Sequence, residues 1–358
     1  MLLAAVSVAC AQRLEVRPAP VTEIPFTVDG NSPVYWRDGR LQFFTSTGVP
    51  VRAEGSDQFS LSRPTNLVVD RDDHMPMWME AIWVDTDGTV YGWYHNEPGG
   101  VCPGGKLTVP RIGAAVSYDG GERFYDLGLV LTSGDPADCN SQNGFFAGGH
   151  GDLSVIPDRE QKYFYFLFTN YGGAASSQGV VMARMAIEDR KTPVGAAWKY
   201  YQGEWMEPGL GGRVTPIFPA AASWQRSDTN SFWGPAVHWN TVLESYVVLL
   251  NHACCSPNWP QDGIYVTFNG DLSDVAGWTA PVRILNNIGW APGYYPQVLG
   301  LGPGETDTLA GESARLYVHG RSKWELHFVK DGQVSIGSDV PEPAPPGERL
   351  DQVTLGPP

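Results

Sequence analysis

The chain has 358 residues and a formal net charge of −15 at pH 7. Binding to a phosphate backbone needs a basic surface, so this charge argues against a nucleic-acid partner. No stretch reaches the roughly 18 to 20 apolar residues of a membrane span, so none is predicted. The 42 Gly and 29 Pro favour an all-β chain with many tight turns.

The first residues, Met1 to Gln12, are small and apolar, and Ala9-Cys10-Ala11 fits the A-x-A pattern of a signal-peptide cleavage site. This pattern predicts that residues 1–11 are the remnant of a signal peptide, although a basic n-region is missing. A lipoprotein anchor at Cys10 is the weaker alternative, because Ser7 stands where Leu is expected. We therefore expect a secreted or periplasmic protein.

A sequence pattern recurs five times along the chain. Each copy has a small or polar residue, a short strand, a turn and a second strand rich in Tyr, Phe or Trp. The opening residues of the copies are Ser32, Glu80, Asp152, Trp233 and Tyr295. Such repetition is typical of a β-propeller, whose inner strands all begin around one central channel.

The spacing of the copies predicts a single-domain, five-bladed β-propeller over residues 12–335. Residues 13–28 form a lead-in strand that closes the ring. Blade one is expected to end near residue 70. Blades two to five are expected to cover about 75–131, 145–205, 230–286 and 289–330. A Pro- and Gly-rich tail is expected at 336–358, and the oligomeric state is left open.

Two motifs resemble those of known propellers. Residues 117–124 match the Asp-box turn of sialidase-like propellers, which is a structural hairpin. Residues 151–155, followed by Tyr163-Phe164-Tyr165, resemble the D-P-S-V-F and Y-Y-L pattern of the five-bladed glycoside hydrolases of the furanosidase type, such as family 43.

This resemblance covers about residues 29–328 and implies three carboxylates at blade starts: a base, an acid and an Asp that tunes the acid. It places Asp152 at the tuning position. Ser32 and Trp233 stand where the family has its base and its acid, so the chain diverges at two of the three positions. Asp29 lies three residues before Ser32, which is a distance that argues against its reaching the channel.

Other carboxylates are candidates for the missing roles. Glu80 lies between Trp78 and Trp83, and a partly desolvated carboxylate should have the raised pKa of a general acid. Glu312, before the last blade's Arg315–His319 strand, is another candidate. Glycoside hydrolysis requires two carboxyl groups about 5 Å apart with retention, or roughly 6.5–9.5 Å apart with inversion.

Substrate-binding residues are expected at the same end of the blades. Aromatic rings stack on the apolar faces of sugars, while amide, imidazole and guanidinium groups bond to their hydroxyls. The candidates are Asn31, Trp78, His95, His150, Trp233, Asn251, His252, Tyr295 and Arg315. No cofactor is required by this scheme. The resemblance allows a structural calcium in the channel, and no compact metal-binding motif is present.

Four cysteines remain after cleavage, and an even number in an exported protein predicts disulfides. Cys102 and Cys139 lie in Gly/Pro-rich loops on either side of one strand, so a disulfide between them is one of the connectivities that the sequence allows, with a metal site as the weaker alternative. Cys254 and Cys255 are adjacent, and the sequence leaves open a vicinal disulfide or two thiols.

These features favour an exported glycoside hydrolase that acts on a neutral saccharide at the channel mouth by carboxylate acid/base catalysis. One alternative is a carbohydrate-binding propeller without activity, which the departures at Ser32 and Trp233 favour. Another is a lyase or lactonase that uses His95 and His150, with or without a metal.

Overall fold

The computed structural model describes residues 12–258, 260–286 and 293–330. The predicted signal-peptide remnant and the predicted tail lie outside these residues. The described residues form five antiparallel sheets, in the five-bladed β-propeller arrangement that the repeat predicted. Among these residues, no helix combines the length and the apolar character that crossing a membrane requires.

The first strand in the chain is β1 (Gln12–Glu23), and the next four form blade one. From the channel outward, blade one contains β2 (Val34–Arg37), β3 (Arg40–Ser46), β4 (Pro50–Gly55) and β5 (Thr65–Asn66).

Blade two begins outside with β6 (Val68–Val69), which pairs in parallel with the last strand of the blade. Its remaining strands run outward from the channel as β7 (Met77–Val84), β8 (Val90–Asn96), β9 (Arg111–Ser117) and β10 (Arg123–Leu131). The Asp-box turn joins the last two, where the Asp119 carboxylate accepts hydrogen bonds from the amides of Glu122 and Arg123, each at 3.0 Å.

Blade three is the largest sheet. It contains β11 (His150–Pro157), β12 (Tyr163–Asn170), β13 (Gly179–Ala186), β14 (Ala197–Tyr201) and β15 (Glu204–Pro208), and β16 (Phe218–Pro219) pairs with β13. Short 3-10 helices lie at Ala175–Ser177 and Ile187–Lys191.

Blade four contains β17 (Ser231–Asn240), β18 (Ser245–Ala253), β19 (Gln261–Asn269) and β20 (Val282–Asn286). A 3-10 turn at Val275–Gly277 falls where the sequence allowed one turn. Blade five contains β21 (Pro296–Gly300), β23 (Ser313–Val318) and β24 (Arg321–Lys330), while β22 (Leu309–Ala310) pairs in parallel with β17.

The ring is closed by the N-terminal strand. β1 pairs antiparallel with β24 over most of its length, so the outermost strand of blade five comes from the start of the chain. The closure was predicted for residues 13–28. Because β1 comes from the start of the described chain and β24 from its end, this pairing joins the two ends in one blade.

The hydrophobic core lies in layers between neighbouring blades. Five clusters of buried apolar side chains occupy the interfaces of blades one and two, two and three, three and four, four and five, and five and one. The alternation of the strands explains this layering, because successive side chains point to opposite faces and each face packs on a different neighbour.

The central channel has a mouth, where the inner strands β7, β11, β17 and β21 begin, and a floor at their other end. The loop between β21 and β23 closes the floor: Asp307 Oδ1 accepts from the Val34 amide at 2.9 Å, and the Glu305 carbonyl accepts from the Trp36 indole at 2.8 Å. Between mouth and floor, the inner strands enclose a cavity of about 10 Å³, the space of about one water molecule.

Candidate functional site

The inner strands of three successive blades are irregular at equivalent points near the mouth. The residue pairing shifts between Met79 and Ala81 in blade two, between Gly151 and Leu153 in blade three, and between Trp233 and Ala236 in blade four. The residues left unpaired are Glu80, Asp152 and the pair Gly234-Pro235. A β-bulge bends its strand and redirects a side chain, and here it turns two carboxylates toward one another.

Glu80 is 2% exposed and has two partners. Its Oε1 lies 3.0 Å from Nδ1 of His95, on the neighbouring strand, and its Oε2 accepts the amide hydrogen of Leu153 at 2.6 Å. Gly30 leaves room for this carboxylate, because a Cβ at Gly30 would lie 2.5 Å from Oε1. Glu80 therefore joins blades one, two and three at the mouth.

The ion pair determines the protonation of His95. Burial lowers the pKa of His95, but the charge of Glu80, whose Oε1 lies 3.0 Å from Nδ1, and the nearby Glu97 outweigh burial and hold that pKa well above its usual value. His95 also stacks on Trp78, with ring centroids 4.9 Å apart. A charged imidazolium against an indole face is a favourable arrangement in a buried site.

Asp152 is 4% exposed and has a positive φ of 42°, which is an uncommon conformation for a residue with a side chain. Burial raises the pKa of Asp152 to about 7, and the charge of Glu80 acts in the same direction. His95 and the hydroxyl of Tyr171, which donates to Asp152 Oδ2, act in the opposite direction. The carboxyl group therefore keeps its proton to a higher pH than an ordinary aspartate does.

Glu80, His95 and Asp152 lie close enough to react with one substrate. One side-chain oxygen or nitrogen of each residue lies within 4.8 Å of the other two. The sequence predicted that Glu80 and Asp152 meet at the channel, and it gave the raised pKa to Glu80. The structure gives a raised pKa to Asp152.

Asp29 also reaches the site, contrary to the expectation from its sequence position. Its Oδ2 accepts from the Trp78 indole at 3.1 Å. Burial raises the pKa of Asp29, although the Trp78 hydrogen bond and the charge of His95 oppose this shift. The linker before blade one turns back at Gly30, whose φ of 135° is open only to glycine, and this turn was not visible as a signal in the sequence.

The equivalent position of blade four carries no side chain. Gly234 has a φ of 55°, and a Cβ there would lie 2.4 Å from Nδ2 of Asn251. Asn251 donates to the carbonyl groups of Trp233 and Gly234, each at 3.2 Å, and accepts from the Tyr295 amide at 2.8 Å. Blade four thus contributes an amide scaffold in place of a third carboxylate.

Aromatic side chains surround the mouth beside Asp152. Phe146 stacks on Tyr171 at 4.1 Å, and Trp224 packs edge-on against Tyr171 at 4.9 Å. Trp233 is buried and lies 5.5 Å from Tyr295, whose φ of 57° turns its ring over the site. Tyr171, Phe146 and Trp224 were not among the predicted site residues, because their sequence resembles that of ordinary core positions.

Asn31 lies at the mouth but is fully used by the fold. Its side-chain amide donates to the carbonyl groups of Leu153 at 2.7 Å and Pro235 at 2.9 Å. One side chain from the start of blade one thereby links blades three and four. Asn31 was predicted to bind substrate, but in the structure its side chain links two blades across the channel.

The other predicted residues lie outside the Glu80–Asp152 site. His150 contacts the buried Lys199 at 2.9 Å, and His252 contacts Asp262 at 2.8 Å on the rim of blade four. Arg315 donates to the Pro20 carbonyl at 2.6 Å and thereby links blade five to β1. Glu312 is exposed and directly precedes β23 at the floor end.

Two groups of side chains have the composition of metal ligands. Glu80, His95 and Asp152 form one, in which Nδ1 of His95 lies 3.0 Å from Oε1 of Glu80. His252, Cys254 and Asp262 form the other, but Cys254 is bonded to Cys255 and offers no thiolate. The disulfide therefore argues against a metal at the second group, and the channel calcium remains a prediction.

The cysteines pair as the sequence allowed. Cys102 is bonded to Cys139, which joins the loop after β8 to the loop after β10 beside the mouth. Cys254 is bonded to Cys255, so of the two alternatives the structure has the vicinal disulfide. The first pair holds the segment that leads to Phe146, and hence the aromatic wall behind Asp152.

Comparisons with known proteins agree on the fold. No protein-family model matches the chain, and no curated protein sequence matches it significantly. The structure is similar to that of an exo-1,5-alpha-L-arabinanase from a bovine ruminal metagenomic library, with a TM-score of 0.50 and 13% identity over 84% of this chain and 94% of the other. It is also similar to a thermostable family-43 glycoside hydrolase, with a TM-score of 0.51 and 12% identity over 90% and 98% of the two chains. The chain therefore has the five-bladed propeller fold of family 43 glycoside hydrolases, as its repeat pattern predicted.

Proposed function

We propose that the protein is a glycoside hydrolase that cleaves a neutral saccharide at the channel mouth. The observation that carries this proposal is the pair of carboxyl groups in unlike electrostatic states, Glu80 beside a cationic His95 and Asp152 with a pKa of about 7, with oxygens within 4.8 Å. Two carboxyl groups whose environments separate their protonation states are the usual machinery of glycoside hydrolysis. We infer export from the N-terminal pattern alone.

The environments suggest a role for each group. Asp152 is the general acid, because it retains its proton near neutral pH and can protonate the leaving oxygen. Glu80 is the carboxylate that faces the anomeric carbon, because the contact with His95 Nδ1 at 3.0 Å and the Leu153 amide at 2.6 Å hold it in place beside Asp152. The sequence had suggested the acid role for Glu80 and the tuning role for Asp152.

The short separation favours a retaining mechanism. Retaining enzymes hold their carboxyl groups about 5 Å apart, whereas inverting enzymes need a gap of roughly 6.5–9.5 Å for water. A Glu80 oxygen lies within 4.8 Å of an Asp152 oxygen, which is closer than the separation of an inverting pair. We therefore expect Glu80 to bond to the anomeric carbon as the bond to the leaving oxygen breaks and Asp152 protonates that oxygen. Water, deprotonated by Asp152, then releases the sugar from Glu80, so that the product keeps the anomeric configuration of the substrate.

Neutral saccharides fit the surroundings better than anionic ones. Trp78 and Tyr295 offer aromatic surfaces to sugar rings, and Asp29 offers an acceptor to hydroxyl groups. A carboxylate-rich site in a chain with a net charge of −15 would repel sulfated or uronic-acid substrates. Arabinan and galactan belong in the first substrate panel, together with xylan.

The test compares variants of the two carboxylates with a distant one. Glu80→Gln and Asp152→Asn should each lower kcat/KM by about 100-fold or more, the usual contribution of an acid or base. Glu312→Gln removes an exposed carboxylate at the floor end and is the matched control, so it should leave kcat/KM unchanged. Product configuration is read by NMR during early turnover.

Several results would contradict the proposal. Turnover that survives either substitution would remove that residue from the mechanism, and inverted product would exclude the nucleophilic role of Glu80. If the unaltered protein binds saccharides of the panel and cleaves none, the non-catalytic binding alternative is the better description.

A further inference from the structure

A second cavity lies on the outer part of blade three, away from the channel. It has a volume of about 370 Å³ and is lined by Tyr163, Arg184, Asp189, Trp198 and Trp205, which together we call the blade-three cleft. β12 begins at Tyr163 and ends at Asn170, which pairs with His150 at the mouth end. The cleft therefore opens near the opposite end of the blade from Glu80 and Asp152.

The cleft is built on one face of the sheet. Arg184 pairs with Trp198 across β13 and β14, so their side chains lie on the same face. The guanidinium of Arg184 lies 4.5 Å from the centre of the Tyr163 ring and 4.9 Å from that of Trp205. These two contacts hold the cation in a fixed position, as cation–π pairs do.

Two side chains of the cleft have unused binding capacity. Trp198 is 47% exposed, and in the described part of the chain its indole has neither a ring contact nor a hydrogen bond. The Asp189 carboxylate likewise forms no hydrogen bond or ion pair with the described residues. A large exposed aromatic ring beside a shaped cavity is a common mark of a binding surface.

We propose that the blade-three cleft binds a neutral saccharide chain at a distance from the reaction site. Its volume lies within the roughly 300–1,000 Å³ of small-molecule sites. Trp198 offers an open face to the C–H face of a sugar, Arg184 donates to hydroxyl oxygens and Asp189 accepts from hydroxyl hydrogens. One cation and one anion leave the lining neutral overall, which suits an uncharged ligand.

The choice of a saccharide as ligand rests on the proposed function, but the cleft shares no residue with the reaction site. A polymer held at the cleft would keep the protein on its substrate, which would increase turnover of polymers and leave that of short glycosides unaffected. The two inferences therefore have separate readouts.

The experiment is native gel electrophoresis through gels that contain soluble arabinan, galactan or xylan. The protein carries Glu80→Gln throughout, so that no probe is cleaved. For a polysaccharide that retards the protein, Trp198→Ala should raise the apparent dissociation constant by about tenfold. This is the effect expected from the loss of one buried aromatic contact. Tyr118→Ala is the matched control, since Tyr118 is 71% exposed on blade two, outside the cleft.

Asp189→Asn tests the polar side of the cleft and should weaken the same probe without altering thermal unfolding. Retardation of Trp198→Ala equal to that of Tyr118→Ala would overturn the inference, as would the absence of retardation on all three probes. Hydrolysis of short aryl glycosides, measured with Glu80 intact, reports on the proposed function separately, and Trp198→Ala should leave it unchanged.

Discussion

A buried histidine provides a test of the folded structure that does not depend on activity. His238 is 1% exposed in β17 and lies against Phe328, with ring centroids 5.5 Å apart. Neither ring nitrogen has a hydrogen-bond partner among the described residues. Burial lowers the pKa of His238 to about 3, so the folded protein holds the ring neutral where an unfolded chain binds a proton.

The sign and size of the effect follow from proton linkage. Below the ordinary histidine pKa of about 6.5, the unfolded chain gains a proton that the folded protein excludes until about pH 3. At pH 7 the buried His238 therefore lowers the free energy of unfolding only slightly. As the pH falls, the free energy of unfolding decreases further, because the unfolded chain binds a proton that the folded protein does not. Between pH 7 and pH 5 this loss is about 2 kcal/mol.

We would compare the His238→Leu variant with the unaltered protein by urea unfolding at pH 5, 6 and 7. The free energy of unfolding of the variant should fall by about 2 kcal/mol less than that of the unaltered protein between pH 7 and pH 5. Phe328→Leu is the control, because it changes packing in the same interface without removing a titratable group. If His238→Leu and the unaltered protein lost the same free energy of unfolding between pH 7 and pH 5, the claim that His238 is buried in its neutral form would be contradicted.

Two further predictions concern the site. Tyr171→Phe removes a hydrogen bond that stabilises ionised Asp152, so the pKa of Asp152 should rise above about 7 and the alkaline limb of kcat/KM should move up by about one pH unit. An unmoved limb would show that Asp152 is not the titrating acid. Asn31→Ala leaves two buried carbonyl groups unpaired and should lower the free energy of unfolding by about 2–4 kcal/mol in urea titrations. An unchanged urea midpoint would contradict the role of Asn31 as a link between blades.

The fold was accessible from the sequence because a propeller repeats a local pattern. Each blade contains alternating strands, glycine-bearing turns and an aromatic-rich second strand, and all of these are features of short segments. The lead-in strand was also predictable, since a closed ring needs a partner for its last blade. The pairing of Cys102 with Cys139 was one of the connectivities that the sequence allowed, and the structure selects it.

Only part of the site could be predicted from the sequence. Glu80 and Asp152 were predicted from their places at the start of two repeats, and the structure brings them together. The bulges that turn them toward each other left no residue signature, because a bulge is a change of pairing between two strands. Asp29 was discounted for its sequence position, and Glu312 and Arg315 were included for theirs. Glu312 and Arg315 lie at or just before the start of β23, which pairs antiparallel with β21, so this pairing places them at the floor end.

The sequence was enough to predict five blades and two acidic residues at the starts of consecutive blades. The electrostatic surroundings of these two residues come from the tertiary structure. Glu80 is paired with the cationic His95. Burial and the charge of Glu80 both oppose the ionisation of Asp152. Desolvation and charge act through space between residues that are far apart in the chain, so no local pattern specifies them.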